Sequence, residues 1–162
     1  MSDTDYLPSP RGWVRAQVEK IEATGDTRSV HIMNRPVVML TMRGVKTGGI
    51  RKVPLMRVEH DGVYAAVASQ GGAPEHPKWY GNLRANPQIT LQDATESWPA
   101  VAREISGAER DEWWVRCVAA YPPYADYQLK TERLIPVLLL ERVEQDEQDE
   151  QDEQDEQGGA EG

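Results

Sequence analysis

The feature that most constrains the fold is a series of short β-prone runs joined by turn signals instead of long helices. Asp61-Gly62 is the strongest of these signals, because both residues tolerate the backbone angles of a tight hairpin. The β-prone runs cover residues 36–42, 52–59, 63–68, 88–92, 98–105 and 135–140. Six strands connected by hairpins predict a mainly antiparallel sheet or small barrel, and they disfavour a Rossmann fold, which needs helical crossovers.

A short amphipathic helix is predicted for Gly12 to Thr24, where Val14, Val18 and Ile21 recur at helical spacing between charged residues. We expect it to pack against the domain, although a helix of this kind can also lie on a membrane surface. Further helices are predicted over residues 79–85, from 106 to about 120, and after the proline pair at 122 and 123.

Ser106 and Glu109 have the spacing of a capping box, in which each side chain satisfies a backbone N–H of the first helical turn. The pattern predicts that the helix from 106 to 120 begins with this reciprocal pair.

The last 19 residues, 144–162, differ from the rest of the chain. They hold 10 of the 27 acidic residues and none of the 18 lysines and arginines, which leaves residues 1–143 with a net charge near +1. The repeat Glu-Gln-Asp has nothing apolar to bury, so we expect a disordered acidic tail, with a nucleic-acid mimic or a partner-docking arm as the alternative. We divide the remainder into an N-terminal segment (1–35) and a barrel domain (36–143), whose near-neutral charge disfavours a nucleic-acid partner.

Composition also narrows the setting of the protein. The single cysteine, Cys117, excludes an intramolecular disulfide framework and is expected to be a core residue. No apolar run approaches the roughly 20 residues of a membrane span, and the N-terminus lacks a signal-peptide core. We therefore expect a cytoplasmic protein without integral membrane contact, with peripheral contact at the inner face left open. His31, His60 and His76 lack metal-ligand spacing, so no metal site is predicted.

The loop at residues 43–52 contains four cationic residues, three glycines and no acidic residue. Glycine allows backbone N–H groups to approach a ligand closely, and Lys and Arg bind phosphate or carboxylate. The spacing does not match a P-loop. An ordinary basic turn and an anion site are both compatible with this composition.

Two more segments are candidates for a site. Ser69, Gln70, Gly71 and Gly72 directly follow a strand, where backbone amides and a hydroxyl can face a cofactor, although a plain strand-exit loop also fits. Tyr121, Tyr124 and Tyr127 recur every third residue, and on a helix the last two would share a face. They could form the core or the wall of a pocket, and the absence of phenylalanine favours a pocket slightly.

Taken in order, the segments MLTMRGVKTGGIRKVPL (39–55), ASQGGAPEHPKWYGNLRANP (68–87), AAYPPYADYQ and TERLIPVLLLE resemble the deazaflavin-dependent nitroreductase family, which uses coenzyme F420. The resemblance covers residues 36 to 142. It implies a split β-barrel, an oxidoreductase and a site for the deazaflavin, whose phospholactyl and polyglutamate tail is strongly anionic.

The resemblance also implies roles for particular residues. The cofactor would be bound by Lys46, Thr47, Gly48, Arg51, Pro54, Leu55, Met56, Ser69, Gln70, Gly71, Gly72, Trp79 and Asn82. Lys46 and Arg51 match positions that hold the anionic tail. Tyr121, Tyr124 and Tyr127 match an aromatic wall beside the ring, and Tyr124, Tyr127 or Ser69 would supply a proton unless solvent does. Gln70 replaces the lysine usual in the family, and Met56 replaces an aromatic residue found in some members.

The expected activity is hydride transfer from reduced F420 to a small electron-poor acceptor, such as a quinone, a nitroaromatic or an activated enone. Two alternatives remain from the sequence: a non-catalytic F420 carrier, and a split barrel that binds FMN. A long cationic groove suits a polyglutamate tail better than a single phosphate. The sequence leaves the oligomeric state open.

Overall fold

The computed structural model of the chain describes residues 6 and 8–143. Within them, the helices α1 to α4 span Gly12–Thr24, Lys78–Ala85, Gly107–Ala120 and Pro123–Lys130. The strands β1 to β7 span Val37–Arg43, Ile50–Met56, Glu59–His60, Val63–Val67, Gln88–Asp93, Glu96–Glu104 and Val137–Arg142. Short 3₁₀ helices at Thr27–Ser29 and Gln70–Gly72 complete the described elements.

All seven strands form one antiparallel sheet in the order β2-β1-β5-β6-β7-β4-β3. Its two edge strands, β2 and β3, are consecutive parts of one chain segment, residues 50–60. The first part of this segment pairs with β1, and the second part pairs with β4. The sheet is therefore curled into a split barrel, and the predicted fold class is confirmed.

The interior of the barrel is apolar and closely packed. Its buried residues come from alternate positions of the strands, as expected when one face of a sheet is enclosed. Tyr80 and Leu83 of α2 belong to the same cluster, so α2 packs over the barrel interior. Val53, Leu55 and Trp79 lie at the margin of this cluster and are only partly buried. The barrel thus has one apolar margin that remains accessible.

Two further apolar clusters cover the outer faces of the sheet. Val14, Val18 and Ile21 of α1 pack on Val37 and Met39 of β1, which confirms the expected packing of this helix against the domain. On the other side, α3 and α4 pack against the outer faces of β4 and β7. Cys117 is fully buried in this second cluster, and burial raises the pKa of its thiol to about 12.

The Asp61-Gly62 hairpin is confirmed. It joins β3 to β4, and both turn residues have positive φ, 53° and 83°. The predicted strand at 52–59 was wrong in its extent, because the chain bends after Met56 and changes pairing partner from β1 to β4. Residues 8–143 therefore contain seven strands where the sequence predicted six.

The predicted capping box is also wrong. The backbone of Ser106 occupies the N-cap position, but its side chain makes no cap hydrogen bond. Glu109 instead accepts two hydrogen bonds of 2.9 Å from the guanidinium of Arg103 on β6. A charge-assisted contact between a strand and a helix has replaced the local one.

Candidate functional site

The cationic loop between β1 and β2 is exposed from Val45 to Gly48. It is closed by backbone hydrogen bonds from Gly44 N to Gly49 O and from Gly48 N to Gly44 O, at 2.8 and 2.9 Å. A Cβ added at Gly48 would meet no atom within 4 Å, so the loop presents open backbone to solvent. The side chains of Lys46 and Thr47 are exposed beside it. The loop can therefore accommodate an anion without rearranging a packed core.

Helix α2 supports this loop through one side chain. The amide oxygen of Asn82 accepts a hydrogen bond of 3.0 Å from the backbone N–H of Val45. The contact joins residues that are 37 positions apart in the chain. Asn82, predicted to contact the cofactor, is thus placed where it also fixes the position of the cationic loop.

Strand β2 continues the site with a strip of alternate residues. Arg51, Val53 and Leu55 pair with Met42, Leu40 and Val38 of β1, whose side chains line the barrel interior. All three β2 residues are half-buried. The strip therefore presents a guanidinium at one end and accessible apolar surface at the other.

Two predicted residues of β2 lie on the opposite face. Strand alternation puts Pro54 opposite Met39, on the side covered by α1. Met56 packs against the outer cluster that contains Tyr121 and Tyr124. Pro54, Leu55 and Met56, expected together around the ring, do not share one surface.

The turn Ser69–Gly72 follows β4 and packs against α4. Gly72 has φ +81°, and a Cβ there would lie 2.8 Å from the backbone oxygen of Tyr127. The ammonium of Lys130 donates to Gly71 O at 3.3 Å. Ser69 and Gly72 are buried, Gln70 is half-buried and Gly71 is exposed. The structure therefore brings this turn and the tyrosine helix into direct contact.

The three tyrosines form one aromatic cluster. Tyr121 and Tyr124 are only 6% and 5% exposed, and their rings pack edge to face with 5.0 Å between the ring centroids. Tyr127 is half-buried, and its hydroxyl lies 3.0 Å from that of Tyr121. Burial raises the pKa of Tyr124 well above the ordinary range of a phenol, and burial together with the hydrogen bond to Tyr127 raises that of Tyr121. Tyr121 and Tyr124 belong to the core, and Tyr127 is the most accessible of the three.

The sequence interpretation missed Arg133, which organises the loop after β4. Its guanidinium donates to the carbonyl oxygens of Ala68, Ser69 and Ala73 at 3.1, 2.7 and 2.9 Å. These acceptors lie 60 to 65 residues away in sequence. Arg133 stands in the segment TERLIPVLLLE, where its cationic character was the only local signal.

The arrangement fits the cofactor that the resemblance implies. Lysine and arginine with open glycine backbone suit a chain of carboxylates and a phosphate. The accessible apolar margin formed by Val53, Leu55 and Trp79 suits a flat ring next to that chain. A small groove of about 140 Å³ adjoins the base of the loop and is lined by residues of β1 and β5, including Arg43.

Two other features are absent from the described residues. Between residues 8 and 143, and at residue 6, no three His, Cys, Asp or Glu side chains cluster so as to hold a metal ion. None of the four described helices combines the length and the apolarity that crossing a membrane requires.

Comparison with known proteins gives consistent matches. The model of the F420H(2)-dependent quinone reductase family matches residues 13–142. An F420H(2)-dependent quinone reductase of Mycobacterium tuberculosis is 32% identical over 110 residues, which cover 66% of this chain and 74% of the relative. A solved F420-H2-dependent reductase is 55% identical, covers 69% of this chain and 99% of its own, and has a TM-score of 0.63. A solved domain-swapped dimer is 54% identical, covers 82% of this chain and 100% of its own, and has a TM-score of 0.65.

The curled antiparallel sheet first defines a class, the split-barrel proteins. The family match then settles the membership: the chain belongs to the F420H(2)-dependent quinone reductase family. The expected cofactor, coenzyme F420, and the expected enzyme class, an F420-dependent reductase, are confirmed, and the FMN alternative is set aside. "Nitroreductase family" was a looser label for the same resemblance. The roles of individual site residues stay predictions.

Proposed function

We propose that this protein reduces quinones with F420H(2), and that nitroaromatics and activated enones are weaker acceptors at the same site. The observation that carries the proposal is the strip on β2, where Arg51 adjoins the half-buried Val53 and Leu55 beside the cationic loop. A guanidinium followed by apolar surface matches a cofactor that has an anionic tail and a flat ring. The quinone reductases among the relatives support the choice of acceptor.

Each part of the cofactor has candidate residues. Lys46, Thr47, Gly48 and Arg51 would hold the anionic tail, with Asn82 fixing the loop that carries most of them. The ring would lie against Leu55 and Trp79 and would be bounded by the turn Ser69–Gly72. Gln70 lacks the charge of the family's usual lysine, so we expect the other cations to contribute a larger share of the tail's binding energy.

When bound, reduced F420 supplies a hydride, and a quinone needs one proton in addition to become a hydroquinone. The protein's own residues orient the reactants and exclude water. Tyr127 is the favoured proton donor, because this residue is more exposed than Tyr121 and Tyr124 and its hydroxyl lies 3.0 Å from that of Tyr121. Ser69 and solvent are the alternative donors, and Tyr124 serves mainly to support the wall.

The test is to mix the purified protein with F420H(2) and to follow cofactor oxidation with a soluble naphthoquinone, a nitroaromatic and an enone. We expect kcat/KM to be highest for the quinone. Lys46→Ala, the matched variant, should raise the KM for F420H(2) and leave the order of the three acceptors unchanged. Tight F420 binding without turnover on any acceptor would instead support the carrier alternative, and absence of F420 binding would refute the proposal.

A further inference from the structure

The turn Ser69–Gly72 is held at both of its ends by one side chain. Arg133 Nη1 and Nη2 donate to Ala68 O and Ser69 O at the entry of the turn, and Nε donates to Ala73 O at its exit. A planar guanidinium has five N–H donors in a rigid fork, so it can fix three carbonyl groups relative to one another. The backbone conformation of the turn is thereby tied to the position of this one group.

The other side of the turn is fixed by α4. Gly72 packs so closely on Tyr127 that a Cβ would meet its backbone oxygen at 2.8 Å, and Lys130 donates to Gly71 O. The turn therefore lies between helix α4 and the guanidinium of Arg133. Both groups that hold the turn, α4 and Arg133, come from a part of the chain more than 50 residues away.

Arg133 is itself attached to α4. The side-chain amide of Gln128 donates to Arg133 O at 2.8 Å and accepts from the backbone N–H of Ile135 at 2.9 Å. Gln128 thus fixes the backbone directly after the Cα atom of Arg133, on both sides of Leu134. Because the base of the side chain is anchored, the fork loses little further freedom when it binds the turn.

The charge of Arg133 has an unusual environment. Among residues 8–143, no carboxylate lies within ion-pair distance of it, and its fourth partner is Nδ1 of His76 at 2.9 Å. A guanidinium carries donors only, so His76 accepts and is the neutral tautomer with its proton on Nε2. Arg103, in contrast, binds the carboxylates of Glu109 and Glu141 on the surface. Three of the four hydrogen bonds of Arg133 therefore go to backbone carbonyl oxygens around the turn.

We propose that Arg133 is a positioning residue of the reductase: it fixes the Ser69–Gly72 turn so that the turn holds the deazaflavin ring in the orientation needed for hydride transfer. The inference rests on the proposed function, which places the ring against this turn. A displaced turn would leave the tail contacts of Lys46 and Arg51 intact. Loss of Arg133 should therefore lower kcat much more than it weakens cofactor binding.

The experiment compares Arg133→Met with Arg103→Met, which removes a guanidinium that binds the carboxylates of Glu109 and Glu141 and makes no hydrogen bond to the turn. Three quantities are measured: amide hydrogen exchange of residues 68–76 without cofactor, the Kd of F420 by fluorescence, and kcat with a quinone. For Arg133→Met we expect at least tenfold faster exchange at Gly72 and Ala73, a Kd within about fivefold of wild type, and a kcat lowered tenfold or more. Arg103→Met should leave all three within about twofold.

Unchanged exchange in Arg133→Met would overturn the inference, as would faster exchange with unchanged kcat. If Arg133→Met does not fold, Arg133→Lys takes its place, because it keeps the cation and loses the fork. A lowered kcat at nearly unchanged Kd then supports the inference, and a wild-type kcat overturns it. Should the wild-type protein bind no F420, the proposed function fails, while the exchange measurement still decides whether Arg133 fixes the turn.

Discussion

The cationic loop and the Ser69–Gly72 turn are both rich in glycine but differ in how they are packed. Both are rich in glycine with positive φ, +70° at Gly48 and +81° at Gly72. Around Gly48 the space for a Cβ is empty, whereas at Gly72 that space is filled by the backbone of α4. Glycine thus gives an open, adaptable loop in one region and a close contact between two elements in the other.

This difference suggests a division of labour. An exposed cationic loop can adapt to a long anionic tail, so its side chains should determine affinity. A turn clamped between α4 and Arg133 cannot adapt, so it should determine the orientation of the ring. Substitutions in the cationic loop should change the Kd of F420. Substitutions in the Ser69–Gly72 turn, or in the residues packed against it, should change the stability of the protein and kcat.

The largest effect is expected from the aromatic cluster beneath the turn. Tyr124 is 5% exposed, so Tyr124→Ala should lower the free energy of unfolding by about 3–5 kcal/mol, as for other buried aromatic residues. Tyr124→Phe keeps the ring and serves as the control, with a loss below about 1.5 kcal/mol. Urea unfolding measures both. A wild-type stability for Tyr124→Ala, with activity altered only for some acceptors, would mean that this ring lines a pocket instead.

The two glycines provide the most direct test of the comparison. Gly72→Ala combines a left-handed backbone with a contact to Tyr127 O, and we expect it to destabilise the protein by about 2–4 kcal/mol. Gly48→Ala carries only the backbone strain, about 1–2 kcal/mol. Thermal unfolding of the two variants under the same conditions decides the matter. Equal losses of stability in the two variants would show that close packing on α4 is not the reason for glycine at position 72.

The tail-binding cations come next. Lys46→Ala and Arg51→Ala should each weaken F420 binding by about 1.5–3 kcal/mol if the charged contacts are well ordered. Wild-type binding should also weaken as salt rises, because ions screen exposed charges. Fluorescence titration at two salt concentrations measures both effects, with kcat at saturating cofactor as the control. Normal F420 binding with a reduced kcat would show that the loop does not bind the anionic tail of the cofactor.

A smaller effect is expected where α2 supports the loop. Asn82→Ala removes the hydrogen bond to Val45 N, which should cost about 0.5–1.5 kcal/mol in F420 binding because the loop must be ordered by the ligand instead. Asn82→Asp retains an acceptor and is the matched variant for the hydrogen bond, although it adds a negative charge beside the tail. If Asn82→Ala loses far more binding than this, the side chain contacts the cofactor directly.

The smallest effect is predicted for the acidic residues 144–162, which lie outside the described residues. Chain termination after Val143 should shift the melting temperature by no more than about 2 °C, since residues 144–162 contain no apolar side chain except Ala160. At low salt, F420 association should be slightly faster without these negative charges. A large loss of melting temperature would show that the segment packs on the barrel.

Local sequence patterns determined the elements of this protein and the chemistry of its loop. Helix α1 has the predicted bounds, since Val14, Val18 and Ile21 recur at helical spacing and all three are buried. The Asp61-Gly62 hairpin followed from the backbone preferences of two neighbouring residues. The cation-rich, glycine-rich loop was visible because its residues are contiguous.

Only the tertiary structure decided which distant groups meet. The bend after Met56 depends on residues 50–56 pairing with β1 while residues 59–60 pair with β4, and the capping box failed because Arg103 on β6 binds Glu109. The burial of Tyr121 and Tyr124 depends on how α3 and α4 pack on β7. Arg133 contacts carbonyl groups more than 60 residues away, and backbone carbonyls exist at every position of the chain. A side chain that binds backbone carbonyls therefore does not require a particular residue type at the partner position, and only the fold can identify the pair.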